Sequence, residues 1–181
     1  MNANTIFKIL ALANALIAVH SPARAVDSGS LELASGNKTH IVRFGAQWKW
    51  DRQWLRFNDA HLGGYWDLTL SKWRGDRFRN VDDSTQRIID IGLTPVFRFQ
   101  RDDLQGPYVE AGIGAHYLSR HYDNNGKRLS TNFQFGDHLG IGYVFPNKLD
   151  VGLKVQHFSN GGIKEPNNGV NLAVVRVSYA F

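Results

Sequence analysis

From residue 26 onward the chain alternates apolar and non-apolar side chains with a period of two, and the non-apolar series carries charge. Successive side chains of a strand point to opposite faces, so each alternating run has one apolar and one polar face. Between about Thr39 and Trp50, Val42, Phe44, Ala46, Trp48 and Trp50 share one face, and Arg43, Gly45, Gln47 and Lys49 share the other. Runs of the same kind lie at about Val26 to Gly36, His61 to Trp73, Ile89 to Gln100, Val109 to Tyr117, Phe133 to Phe145, Leu149 to Gln156 and Ala173 to Phe181, which makes eight strands. From residue 26 onward no segment carries a convincing helical stripe.

The polar faces hold Arg43, Lys49, Asp67, Asp90, Arg98, Glu110, His116, Lys154 and Arg176 among many glycines. Charges without partners are costly in a dry core, so these faces do not suit a sandwich. They suit the cross-linked polar interior of a small barrel whose apolar face meets lipid, and runs of about ten residues match a tilted membrane strand. The predicted fold is all-β, an eight-stranded antiparallel transmembrane β-barrel of the bacterial outer membrane. Pro95 falls within the fourth run and predicts a bulge or a local gap, because proline cannot donate to the ladder.

Residues 1–25 read as a cleaved signal peptide, with Lys8, an apolar run from Ile9 to Val19 and Ala23-Arg24-Ala25 as the cleavage pattern. Residues 26–181 then form a single barrel domain. Removing Lys8 and Arg24 from the 21 basic residues leaves 19 against 16 acidic ones, a bias too small to argue nucleic-acid binding. With no cysteine in the chain, disulfides and thiolate metal sites are excluded. Trp48, Trp50, Trp54, Trp73, Tyr143, Phe145, Tyr179 and Phe181 gather near strand ends as interfacial girdles do. Phe181 following Val175, Val177 and Tyr179 resembles the C-terminal signature of outer-membrane barrels. Arg74 to Ser84 and Arg120 to Thr131 read as exposed loops, the second with a turn at Asp123 to Gly126.

The segment from His157 to Asn171 reads H-F-S-N-G-G-I-K-E-P-N-N-G-V-N. The outward series of the seventh run is odd-numbered and continues through His157 and Ser159, and the outward series of the eighth begins at Asn171. Three polar side chains thus fall on the lipid-facing wall near the extracellular rim. A serine hydroxyl becomes a nucleophile when an imidazole accepts its proton, and the imidazole works better when a third group fixes its tautomer. Asn160, Gly161, Gly162 and Asn167 can offer N–H donors to an oxyanion, although the same residues make turns in any hairpin. His116 and His138 face inward, and the spacing of the histidines does not make a metal site.

His157-Phe158-Ser159-Asn160, followed by Gly162, Pro166-Asn167 and Gly169, resembles the PagL family of outer-membrane lipid A 3-O-deacylases. Trp48-x-Trp50-Asp51, Gly64-Tyr65-Trp66-Asp67, Glu110-Ala111-Gly112-Ile113-Gly114 and Asp137 add to the resemblance. It implies a cofactor-free serine hydrolase that removes the acyl chain esterified at position 3 of lipid A. Ser159 would be the nucleophile and His157 the general base, with Asn160, Gly162 and Asn167 near the oxyanion. The implied partners are lipid A and the outer-membrane lipid around it, and a homodimer is left open. The family's best-known members carry a glutamate where this chain has Asn171, and Glu165 and Asp137 are candidate substitutes for that acid. Two other classes compete with this reading: a non-enzymatic barrel using its charged loops for adhesion or packing, and another lipid enzyme such as an acyltransferase or phospholipase.

Overall fold

The computed structural model describes residues 25–181, so the expected signal peptide, except for Ala25, lies outside the described residues. Eleven strands follow in chain order: β1 (Ser28–Gly36), β2 (Thr39–Lys49), β3 (Trp54–Phe57), β4 (Ala60–Gly75), β5 (Gln86–Arg101), β6 (Gly106–Leu118), β7 (Tyr122–Asn124), β8 (Lys127–Leu129), β9 (Phe133–Val144), β10 (Leu149–Ser159) and β11 (Val170–Ala180). Eight of them run antiparallel in the cyclic order β1-β2-β4-β5-β6-β9-β10-β11, and the β1–β11 and β2–β4 ladders close the barrel. Closure leaves no unpaired edge among them, which is what a strand protein needs where no water is present to satisfy the backbone.

The polar faces point inward, as the alternation predicts. Arg98 Nη2 donates to Glu110 Oε2 at 2.7 Å and Arg98 Nη1 to Asp150 Oδ2 at 3.0 Å, while Arg176 reaches Tyr65, Tyr108 and Asp150. A second group joins Glu32 to Arg43 at 2.8 Å and to Lys154. Each of these buried charges has an opposite charge in contact, the condition under which an interior of this kind is stable, although Arg43 Nε and Nη2 and Arg176 Nε bond to nothing among the described residues. Replacing Glu110 with alanine removes one of the two carboxylates that Arg98 and Arg176 share and leaves Asp150 alone against both. Breaking a buried pair in this way is expected to destabilise the barrel by about 3–5 kcal/mol, measured as a lower unfolding midpoint in detergent and urea.

The interior is not polar throughout. Ile41, Trp73, Ile88, Leu118, Phe158 and Leu172 fill the loop end of the bore with an apolar layer. Trp73, expected in an interfacial girdle, is 1% exposed and packs edge-on against Phe158 at 4.8 Å. Its odd number puts it in phase with Tyr65, Asp67, Thr69 and Ser71, so the inward parity of β4 outranks the general preference of tryptophan for interfaces. The 120–131 segment likewise departs from an exposed loop. Its Asn125-Gly126 turn has positive φ at both residues and closes the β7–β8 hairpin. Tyr122 and Leu129 of that hairpin are buried on the apolar layer, and Asn124 Nδ2 donates to the Asn37 carbonyl at 2.8 Å.

At the opposite end the 51–59 segment, between the runs predicted at Thr39 to Trp50 and His61 to Trp73, contains β3. There Trp50 lies against Trp54, Trp66 and Phe97 at 5.8, 6.0 and 5.0 Å. A Cβ at residue 64 would run into the Trp50 ring, so Gly64 lets that ring lie flat on the wall. Pro95 makes a gap rather than a bulge. The β5–β6 pairing passes from Leu93↔Ala115 to Val96↔Gly112 without a change of register.

Candidate active site

β10 enters the loop end with Gln156 and Phe158 buried and His157 and Ser159 half-buried on the outside. Phe158 is completely buried, its ring 4.8 Å from Trp73 and 4.9 Å from His116. That aromatic anchor fixes the phase of the strand, because a slip of one residue would turn His157 and Ser159 into the bore. His116 is itself held at 3.0 Å by Asp90, which also accepts from Ser71 at 2.8 Å. The buried histidine is thus a structural member of the interior.

His157 stands between two neighbours in register, Asn171 on β11 and Asp137 on β9. Its Nδ1 lies 2.6 Å from Asn171 Oδ1. With the carboxamide oxygen as acceptor, Nδ1 carries the proton and Nε2 presents its lone pair. Ser159 shares the outward face, displaced roughly 6.6 Å along the strand. Among the described residues Ser159 Oγ has no hydrogen-bond partner, so the hydroxyl and Nε2 are not yet joined, as is common before substrate is bound. Phe135 is the register partner of Ser159 and packs at 5.1 Å on Phe133, which gives the serine an apolar flank on the same wall.

Gly169 is more than a turn residue. It has φ +66°, and a Cβ there would lie 2.5 Å from His157 Cε1. The imidazole therefore occupies space that only glycine leaves open, a packing role for which the sequence carried no signal beyond the glycine itself.

The 160–169 loop is held from within. Asn160 N–H donates to Asn167 Oδ1 at 3.0 Å, Gly162 N–H to Asn160 Oδ1 at 3.0 Å, and Asn160 Nδ2 to the Lys164 carbonyl at 2.6 Å. Two of the expected oxyanion residues, Asn160 and Gly162, thus have their N–H groups engaged in the loop. Asn167 spends its oxygen there, and its Nδ2 has no partner among the described residues. Glu165 accepts the Asn167 N–H at 2.8 Å and makes no bond to His157. Ser130 Oγ and the Arg128 N–H bind this loop to the β7–β8 segment at 2.7 and 2.9 Å.

Residues 40–180 match the family model described as Lipid A 3-O-deacylase (PagL), more than half of the chain. The chain belongs to the PagL family. It is 34% identical over 164 residues to "Lipid A deacylase PagL" of Pseudomonas aeruginosa, covering 89% of this chain and 90% of that one. The protein of the same name from Bordetella bronchiseptica is 33% identical over 160 residues, 84% of each chain. The crystal structure of the outer membrane enzyme PagL superposes with a TM-score of 0.73 at 26% identity, covering 85% of this chain and 99% of the other. Like that member, the chain is an outer-membrane β-barrel, and the 160–169 loop belongs to its longer-looped end, the extracellular end of such barrels.

Proposed function

We propose that the protein is a serine esterase that hydrolyses the ester-linked acyl chain at position 3 of lipid A. The observation that carries this reading is the 2.6 Å bond from His157 to Asn171 on the outer wall, two residues from an unpaired serine. The family relationship supports the substrate, and the outward placement supports the route, since the ester reaches the wall from the surrounding leaflet.

In the reaction, Ser159 Oγ attacks the ester carbonyl as its proton passes to His157 Nε2. The tetrahedral oxyanion is met by free donors of the loop, foremost Asn167 Nδ2, while Asn160 and Gly162 hold the loop in shape. His157 then returns the proton to the sugar oxygen at position 3, which leaves as the alcohol. Water, deprotonated by the same imidazole, cleaves the acyl-serine and releases the fatty acid.

Asn171 is the orienting group. A carboxamide fixes the ring as a carboxylate does, but it stabilises the imidazolium less, and its NH2 end can present itself to Nδ1 in place of the oxygen. Asn171→Asp is therefore expected to raise turnover by a few fold, and Asn171→Ala to lower it by roughly ten to a hundred fold. Glu165→Ala is expected to change it less than Asn171→Ala. Initial rates of fatty-acid release test the series, and equal rates for Asn171→Ala and the parent would remove Asn171 from the mechanism.

Mass spectrometry of lipid A incubated with the purified protein tests the activity itself. Loss of one hydroxyacyl chain is expected. An unchanged mass, or a gained acyl chain, would overturn the assignment.

A further inference from the structure

Outward-facing positions on the eight barrel strands are almost all apolar or small, and charged or imidazole side chains occur there in few places. Asp137 and His157 belong to the site described above, and Arg101 stands at the turn end. The remaining four, His40 on β2, Lys72 and Arg74 on β4 and Arg87 on β5, lie together at the loop end on three adjacent strands. In the cyclic strand order β4 is four steps from β10 in either direction, so this group sits on the wall opposite the catalytic strand.

The register sharpens the anomaly. Arg74 pairs directly with Arg87 and also with His40, and Lys72 lies two residues from Arg74 on the same face. Like charges directly opposite each other destabilise a sheet. Asp76 is the nearby counter-charge: Arg74 Nε donates to it at 2.8 Å, and His40 Nε2 lies 3.6 Å from it. Among the described residues Lys72 and Arg87 have no carboxylate partner. Of these three permanent cations only Arg74 thus has a carboxylate partner, on a surface that carries few other charges.

Directly below them the wall is apolar. Leu70 and Leu68 continue the outward series of β4, and Ile89 and Ile91 continue that of β5, all exposed. A cationic cluster above an apolar track matches an amphiphile whose anionic head stays at the rim while its chains lie along the barrel. Guanidinium groups favour tetrahedral phosphate through paired N–H donors, and the lysine stem can lift its ammonium toward the head group.

We propose that Lys72, Arg74 and Arg87 form a binding site for the phosphate of an anionic outer-leaflet lipid, separate from the catalytic site. The site would anchor one lipid on the far wall as a structural companion rather than as the molecule being cleaved.

The test uses the purified full chain in mild detergent and native mass spectrometry. The probes are bisphosphorylated lipid A lacking the 3-O-acyl chain, its dephosphorylated counterpart, and inorganic phosphate. The parent is expected to retain the phosphorylated lipid at least roughly tenfold better than the K72Q/R74Q/R87Q variant, with no such difference for the dephosphorylated lipid. Arg101→Gln, on the same wall but at the other end, is expected to bind like the parent. Heat-modifiable gel mobility confirms that each variant is folded, and Arg87→Gln alone, with rescue by Arg87→Lys, replaces the triple variant if that one does not fold. Equal retention by parent and folded variant overturns the proposal. Saturation by inorganic phosphate alone, with no preference for the lipid, also overturns it, because the site would then serve a free anion.

Discussion

Ser159→Ala is expected to eliminate release of the position-3 acyl chain, with a fall on the order of 10⁴-fold or more in turnover. Among the described residues no second hydroxyl has the same relation to His157. Ser159 stands two residues along the outward face, with Phe135 beside it. Tyr122 of the β7–β8 hairpin, by contrast, is buried. The substitution removes one oxygen from a half-buried position that bonds to nothing in the fold, so the barrel is expected to keep its stability. The measurement is mass analysis of lipid A after incubation with equal amounts of folded parent and variant. Continued deacylation by the variant would show that the nucleophile is elsewhere.

The second large effect is expected at His157. His157→Ala removes the proposed base for the serine proton, a kind of group generally worth about 10²–10⁴-fold in proton transfer alone. On the proposed mechanism nucleophile and base act as a unit, so the Ser159→Ala/His157→Ala double variant is expected to be no slower than either single variant. That non-additivity is the more informative result. Losses that multiply would mean that the two residues serve separate steps, and the pair would have to be abandoned. The variant also opens a void beside Gly169, whose lack of a side chain makes room for the ring, so folding should be checked by heat-modifiable mobility alongside activity.

Period-two alternation made the barrel legible, because lipid outside and charge inside leave the same mark on every strand. It also predicted the outward placement of His157, Ser159 and Asn171, since parity within a strand survives any error in its ends. What alternation could not convey was composition along the bore. Trp73, Ile88 and Leu118 are inward residues that happen to be apolar, and a rule that equates apolar with outward misplaces them. The β7–β8 hairpin was hidden for a related reason. Its buried residues, Tyr122 and Leu129, stand among charges, and their burial depends on a layer built by distant strands. The loop chemistry was the least legible. Asn160, Gly162 and Asn167 were recognisable as donors, but which N–H groups are engaged depends on how ten residues close on one another.

Phe158 gives the strand of the proposed site a second side. Its ring is sealed between Trp73 and His116, away from lipid, and the two residues on which chemistry is proposed flank it in the chain. The precision of a surface site is therefore set by a foundation the substrate never meets. Changes in that foundation could retune the angle of attack while the face shown to the membrane stays the same, so such an enzyme can be adjusted from the inside.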